Sequence, residues 1–279
     1  MIRIVTDSTC DLDESTVKDL RIELIPMTVH FGEESYLDGV TLSKETFYEK
    51  LTSAQKLPTT SQLNPMDILD RVKPFLEQGD DVVAIFLSSE LSGTFQSAVI
   101  AAGMADSDRF FLVDSENVTF GMGLLLRIAC ALRDKGRTAE EICEEINSLK
   151  KRVRLIAVVD TLKYLQMGGR ISATTAVLGN LLGINPLVGV IEGKVEAIGK
   201  VRGKKAAYRH LLTLCQQELP DPSYPLYFGH SRSPETMEEL REFITSHINC
   251  SSEIYSTEIG SVVGTHVGPG AAGLAYIAL

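Results

Sequence analysis

The chain has 279 residues, 44% of them hydrophobic and 23% charged, and a formal net charge of -10. That length suits one large domain or two ordinary ones, and that balance belongs to a globular protein. The negative charge excludes general affinity for nucleic acid or anionic lipid head groups, which needs a basic surface.

The five cysteines (Cys10, Cys130, Cys143, Cys215, Cys250) are odd in number and never spaced as CxxC, so neither a disulfide framework nor a zinc site is expected. Cys10 lies in a polar turn and is the one thiol to watch. The opening MIRIVTDS shows no leader pattern, and no run of 18 apolar residues occurs. A soluble, cytoplasmic protein without an integral membrane segment is therefore expected.

In chain order, IRIVT runs into Asp7, Ser8 and Thr9; VVAIFL into Ser88 and Ser89; FFLV into Asp114 and Ser115; LIAVV into Asp160 and Thr161. Continuous apolar runs bounded by turns predict strands buried on both faces. Helical patterns, such as Ile68, Val72, Phe75 and Leu76 or residues 124–132, separate them. The alternation predicts an α/β unit with a parallel sheet, whose ligands sit beyond the carboxyl ends of the strands.

The texture changes after about residue 155. LVGVIEGKVEAIGK predicts a hairpin turning at Glu192-Gly193-Lys194, and YPLYFGHS a strand. Ser233-Pro234 predicts a helix start, with two more β-rich runs after that helix. An α+β second domain is expected, with a boundary between residues 145 and 160. No flexible linker separates the halves, so they should meet face to face around a ligand cleft.

Four polar stretches could carry function. In LSSELSGTFQSA (87–98), Phe95, Ala98, Val99 and Ala102 predict a helix from near Ser92. Its unpaired N–H groups suit a carboxylate or phosphate, and Ser92 reads equally well as a plain N-cap. Neither a GxSxG nucleophile elbow nor the lysine of a P-loop is present. LPTTSQLNP (57–65) reads as a loop into a helix at Pro65, its hydroxyls serving either a ligand or the local backbone.

GTHVGPGAAG (264–273) sets His266 among glycines, which let main chain approach a ligand closely. The other histidines (His30, His210, His230, His247) sit in ordinary patterns, and no spacing points to a metal. GGRISATTAVLGNLLGINPLV (168–188) places Arg170 before an apolar helix capped by Ser172 and ending at Gly183. Lys200, Arg202, Lys204, Lys205 and Arg209 then form a local basic patch. It is either a solvated face or a docking surface for an anionic group.

TDSTCDL, PTTSQ, LSSELSGTFQSA, LKYLQMGGRIS, KVRGKKA and THVGPGAAGL occur in the order and spacing of the DegV family, which the chain resembles from residue 3 to its end. The resemblance implies an α/β protein: an N-terminal α/β/α domain with a parallel sheet (residues 1–155) and a C-terminal α+β domain (156–279). It implies one long-chain fatty acid, such as palmitate, stearate or oleate, held between them as ligand, with no cofactor and no catalytic residue. The matching carboxylate-binding residues are Thr60, Ser92 and His266.

In the FakB-like subgroup a separate fatty acid kinase phosphorylates the bound acid, and the arginines matching its docking motifs are Arg170 and Arg202. Two departures, Cys10 where Ala or Ser is commoner and LNP in place of PSP after TSQ, leave Thr60 intact. A carrier suits the residues, since each buried methylene contributes about 0.8 kcal/mol and a protonated His266 would ease burial of a carboxylate. Two other classes stay open: a lipid-directed serine hydrolase, with Ser92 or Ser89 as nucleophile and His266 as base, and a small polyol-binding subunit like that of dihydroxyacetone kinases.

Overall fold

The structure, a computed structural model, describes residues 1–171 and 183–279. The apolar helix expected from Ser172 to Gly183 falls almost wholly outside the described residues.

The chain opens with β1 (Ile2–Asp7), a 3-10 turn at Ser8–Cys10, α1 (Glu14–Asp19) and β2 (Ile22–Ile25). A small antiparallel sheet follows, with β3 (Thr28–Phe31), β4 (Glu34–Leu37), α2 (Lys44–Ser53) and β5 (Thr59–Ser61), in the order β4-β3-β5. Then come α3 (Pro65–Glu77), β6 (Asp81–Phe86), α4 (Thr94–Ala105) and β7 (Phe110–Asp114). Strands β2-β1-β6-β7 form the expected parallel sheet. Helix α3 starts as read, with the Asn64 side chain accepting from Met66 N and Pro65 in the first turn, and it buries Ile68 and Val72.

Helices α5 (Thr119–Asp134) and α6 (Ala139–Leu149) lead into the second half. Helix α5 is buried along most of its length because it lies between the parallel sheet and the sheet that follows. That second sheet is built from β8 (Val153–Val158), α7 (Lys163–Met167), β9 (Ile184–Ile191), β10 (Lys194–Arg202), α8 (Lys204–Gln217), β11 (Leu226–His230), α9 (Pro234–Thr245), β12 (Ile254–Glu258), α10 (Ser261–Val267) and β13 (Ala272–Ile277). Its order is β10-β9-β8-β13-β11-β12, antiparallel throughout except for β11 and β12. The β9–β10 hairpin turns at Glu192-Gly193, as its sequence predicts.

Four sequence readings change. The LIAVV run does not extend the parallel sheet; it is β8, antiparallel to both neighbours. Its continuous apolar character reflects a central strand covered on both faces, which burial alone dictates in either orientation. PTTSQ is not all loop, since Thr59–Ser61 pairs with β3 as an edge strand. The glycine-rich segment around His266 opens with a short helix, α10. Cys10 is fully buried and burial pushes its thiol pKa well up, so it is an inert core residue rather than a reactive one.

The second sheet buries one face against α8 and α9, through residues such as Phe228, Leu274, Ile156 and Leu187. Its opposite face looks toward α5 and the carboxyl ends of the parallel strands. Among the described residues no helix is long and apolar enough to cross a membrane.

Candidate functional site

A cavity of about 210 Å³ lies between the parallel sheet and the six-stranded sheet, with Thr60 of the small sheet also in its lining. Its walls are mainly apolar: Leu87 and Leu91 after β6, Phe120 at the start of α5, Ala157 on β8, Val188 and Val190 on β9, and Val262 and Val263 on α10. Thr60, Ser92, Arg170 and His266 line the same cavity, so four of the five residues singled out from sequence meet there. Arg202, exposed at the end of β10, is absent from its lining.

Thr60 reaches the cavity from the edge strand β5 and His266 from α10, 206 residues later. Thr60 Oγ1 and His266 Nε2 share a hydrogen bond of 2.9 Å. The other ring nitrogen, Nδ1, is buried and has no hydrogen-bond partner among the described residues. Gly168, after α7, covers it: a Cβ there would stand 2.3 Å from Nδ1, so only glycine lets the two segments meet. Burial and the nearby Arg170 guanidinium lower the His266 pKa to about 4, so the ring is neutral at pH 7. The imidazolium envisaged from sequence is therefore not what this environment favours.

A neutral imidazole carries one N–H, and placing it on Nε2 avoids burying an orphan donor at Nδ1. His266 then donates to Thr60 Oγ1, which leaves the Thr60 hydroxyl proton to point elsewhere, into the cavity. Arg170 supplies the local cation. Its Nε donates to Leu91 O at 3.2 Å, and its side chain lines both the cavity and an adjoining outer groove with Glu90, Lys194 and Glu196. The residue read from the sequence as partner-facing thus also borders the interior.

Ser92 stands just before α4 rather than at its cap, which is Gly93. Ser92 Oγ accepts from Thr94 N at 3.2 Å and lies 3.0 Å from Thr94 Oγ1. Neighbouring Ser88 is fully buried and donates to Gly193 O at 2.8 Å, which docks the tip of the β9–β10 hairpin on the parallel sheet. Lys194 and Glu90 pair at 3.3 Å beside it.

The elements carrying these side chains are fixed by two buried aspartates, Asp7 and Asp11. Asp7 Oδ1 accepts from Thr9 N at 2.9 Å and Oδ2 from Leu87 N at 3.0 Å. Asp11 Oδ2 accepts from Thr119 Oγ1 at 2.6 Å, which pins a threonine with φ of 48°, an uncommon conformation for a β-branched residue. Both aspartates sit in TDSTCDL: Asp7 ends β1, and Asp11 follows the 3-10 turn at Ser8–Cys10. Gln62, the last residue of PTTSQ, also lines the cavity, and its amide occupies the space a side chain at Gly93 would need.

The whole chain, residues 1–279, matches the family model described as uncharacterised protein, DegV family. The chain belongs to the DegV family. A DegV domain-containing protein of Caldanaerobacter subterraneus is 36% identical over 276 residues, which cover 99% of this chain and 98% of the relative. A DegV family protein from Thermus thermophilus, whose structure is described by its fatty acid binding, superposes with a TM-score of 0.91 at 31% identity, covering 100% of this chain and 99% of the other. A stearic acid-binding protein from Eubacterium ventriosum gives a TM-score of 0.87 at 25% identity, covering 100% and 98%. The DegV fold assigned here, a parallel sheet joined to a mixed one, is the fold of those structures.

Proposed function

We propose that this DegV protein is a carrier that holds one long-chain fatty acid between its two sheets, and that it performs no chemistry on it. The observation that carries the reading is the set of Thr60, His266, Ser92 and Arg170 lining a mainly apolar cavity, with Thr60 and His266 hydrogen-bonded to each other. An acyl chain gains about 0.8 kcal/mol per buried methylene in such a cavity. The Thr60 hydroxyl, polarised by the His266 N–H, donates to the carboxylate, with Ser92 as a second donor and Arg170 as the nearby positive charge. The fatty acid binding of the Thermus protein and the stearic acid binding of the Eubacterium protein support the same ligand class here.

A hydrolase reading has less support. His266 Nε2 is engaged by Thr60 rather than a serine, and among the described residues no carboxylate orients its Nδ1. A small polyol would leave the apolar walls unused. We further propose that residues 1–155 and 156–279 act as two domains enclosing the ligand in a tunnel. The protein works in the cytoplasm, and Arg170 with the exposed Arg202 meets a fatty acid kinase that phosphorylates the bound carboxylate.

Solvent extraction of the purified protein followed by mass spectrometry tests the carrier. A C14 to C18 acid in one-to-one ratio is expected. Protein that carries no acid and takes up neither palmitate nor oleate would refute the reading.

A further inference from the structure

The cavity-facing side of the second sheet carries one row of unusually small side chains, set by the strand register. Gly229 on β11 pairs with Gly273 on β13, Gly273 with Ala157 on β8, Ala157 with Val188 on β9, and Val188 with Ala197 on β10. Directly paired residues point to the same face of a sheet. The first four line the cavity, and Ala197 lines the adjoining groove that shares Arg170 with it. The row therefore crosses five strands, from the Arg170 end inward to β11. At about 4.8 Å between strands it is about 19 Å long. A hydrocarbon zigzag of ~1.5 Å bonds advances roughly 1.25 Å per carbon, so that span takes about fifteen carbons.

The row is closed at its β11 end. A Cβ on Gly229 would fall 2.1 Å from the Phe120 ring, so the ring occupies the space above that glycine. Phe120 is only 2% exposed and follows Thr119, whose hydroxyl is fixed on Asp11. One strand further out, Gly229 pairs with Thr257, whose hydroxyl donates to Asp11 O. Nothing in the register continues the opening past this point.

Building on the carrier reading, we infer that the acyl chain lies across the strands along this row, and that Phe120 is the end stop that sets its length. The head group then sits with Thr60 and Arg170 at the open end, while the terminal methyl meets the Phe120 ring edge. Shortening the stop lengthens the track, and adding bulk beneath it drives the ring inward.

The test is competition. Delipidated protein is equilibrated with an equimolar mixture of saturated C12 to C22 acids, and the retained acids are measured by mass spectrometry. Phe120→Ala is expected to move the preferred length up by two or more carbons, and Gly229→Ala to move it down. Phe120→Leu, a milder change, is expected to shift it upward less and serves if the alanine variant fails to fold. Folded variants that keep the wild-type length profile would overturn the end-stop assignment while leaving the carrier reading in place. Wild-type protein that retains none of the acids would remove both.

Discussion

Asp11 Oδ1 accepts the backbone N–H of Gly260 at 2.8 Å, across 249 residues of chain. Gly260 is the N-cap of α10, the helix that carries His266, and that helix has no side-chain cap of its own. Asp38 Oδ1 completes the arrangement by accepting from Ser261 N at 3.1 Å and Ser261 Oγ at 2.6 Å. Two carboxylates from the first half of the chain thus satisfy a helix start in the second, where negative charge is favoured.

Replacing Asp38 by Ala should destabilise the protein by about 1–3 kcal/mol, because it leaves the buried N–H and hydroxyl of Ser261 without an acceptor. Urea unfolding measures this directly. A variant as stable as the parent would show that α10 needs no outside cap.

Two buried groups should oppose each other as pH falls. His266 has a native pKa of about 4 against an ordinary 6.5, so the unfolded chain binds that proton first. Acidification through the window from 6.5 to 4 therefore removes stability. Asp11 is raised by burial from 3.8 to about 7, so there the native state binds the proton first and acidification from 7 toward 4 adds stability. Relative to the parent, His266→Phe should gain stability between pH 6.5 and 4, and Asp11→Asn should lose it. Unfolding midpoints that move in parallel for all three proteins across this range would contradict the assignment.

The head-group assignment predicts that Thr60→Ala with Ser92→Ala weakens fatty-acid binding by at least tenfold, since each bond to a charged group contributes about 1.5–3 kcal/mol. Thr60 Oγ1 is also the partner of the buried His266 Nε2, and Ser92 Oγ accepts from Thr94 N at the start of α4, so the double variant should lose about 1–3 kcal/mol of stability as well, and its affinity is read where urea unfolding shows it folded. Displacement of a fluorescent fatty acid gives the affinity. Undiminished binding would reassign the carboxylate to other donors.

Arg202 lies outside the cavity lining and is exposed, so Arg202→Glu should leave fatty-acid affinity within twofold of the parent. In a coupled assay with a fatty acid kinase, the same variant should lose most turnover. Full turnover would dismiss Arg202 as a docking residue.

The parallel sheet, the β9–β10 hairpin and the start of α3 were readable because local rules decide them: apolar runs, a Glu-Gly turn, and Asn before Pro. Strand β8 misled because a central strand looks the same whether its neighbours run parallel or antiparallel. Helix α10 was hidden because its stabilising caps come from Asp11 and Asp38, distant in sequence, rather than from its own first residues. Four cavity-lining residues, Thr60, Ser92, Arg170 and His266, were legible as motif positions, yet the Thr60–His266 bond was not. It depends on an edge strand and a capped helix meeting over Gly168, a relation that only the tertiary fold creates.

Beyond the Phe120 ring, Gly273, Ala157 and Val188 leave the cavity wall as bare backbone and methyl groups. Protein interiors gain cohesion from dense contact, and a wall of bare backbone and methyl groups offers little of it. On the carrier reading the cargo completes a core that the polypeptide leaves unfinished, and it counts thermodynamically as part of the fold. Every tenfold rise in free fatty acid above its dissociation constant then adds about 1.4 kcal/mol to the stability of the protein. Its melting temperature becomes a gauge of lipid supply.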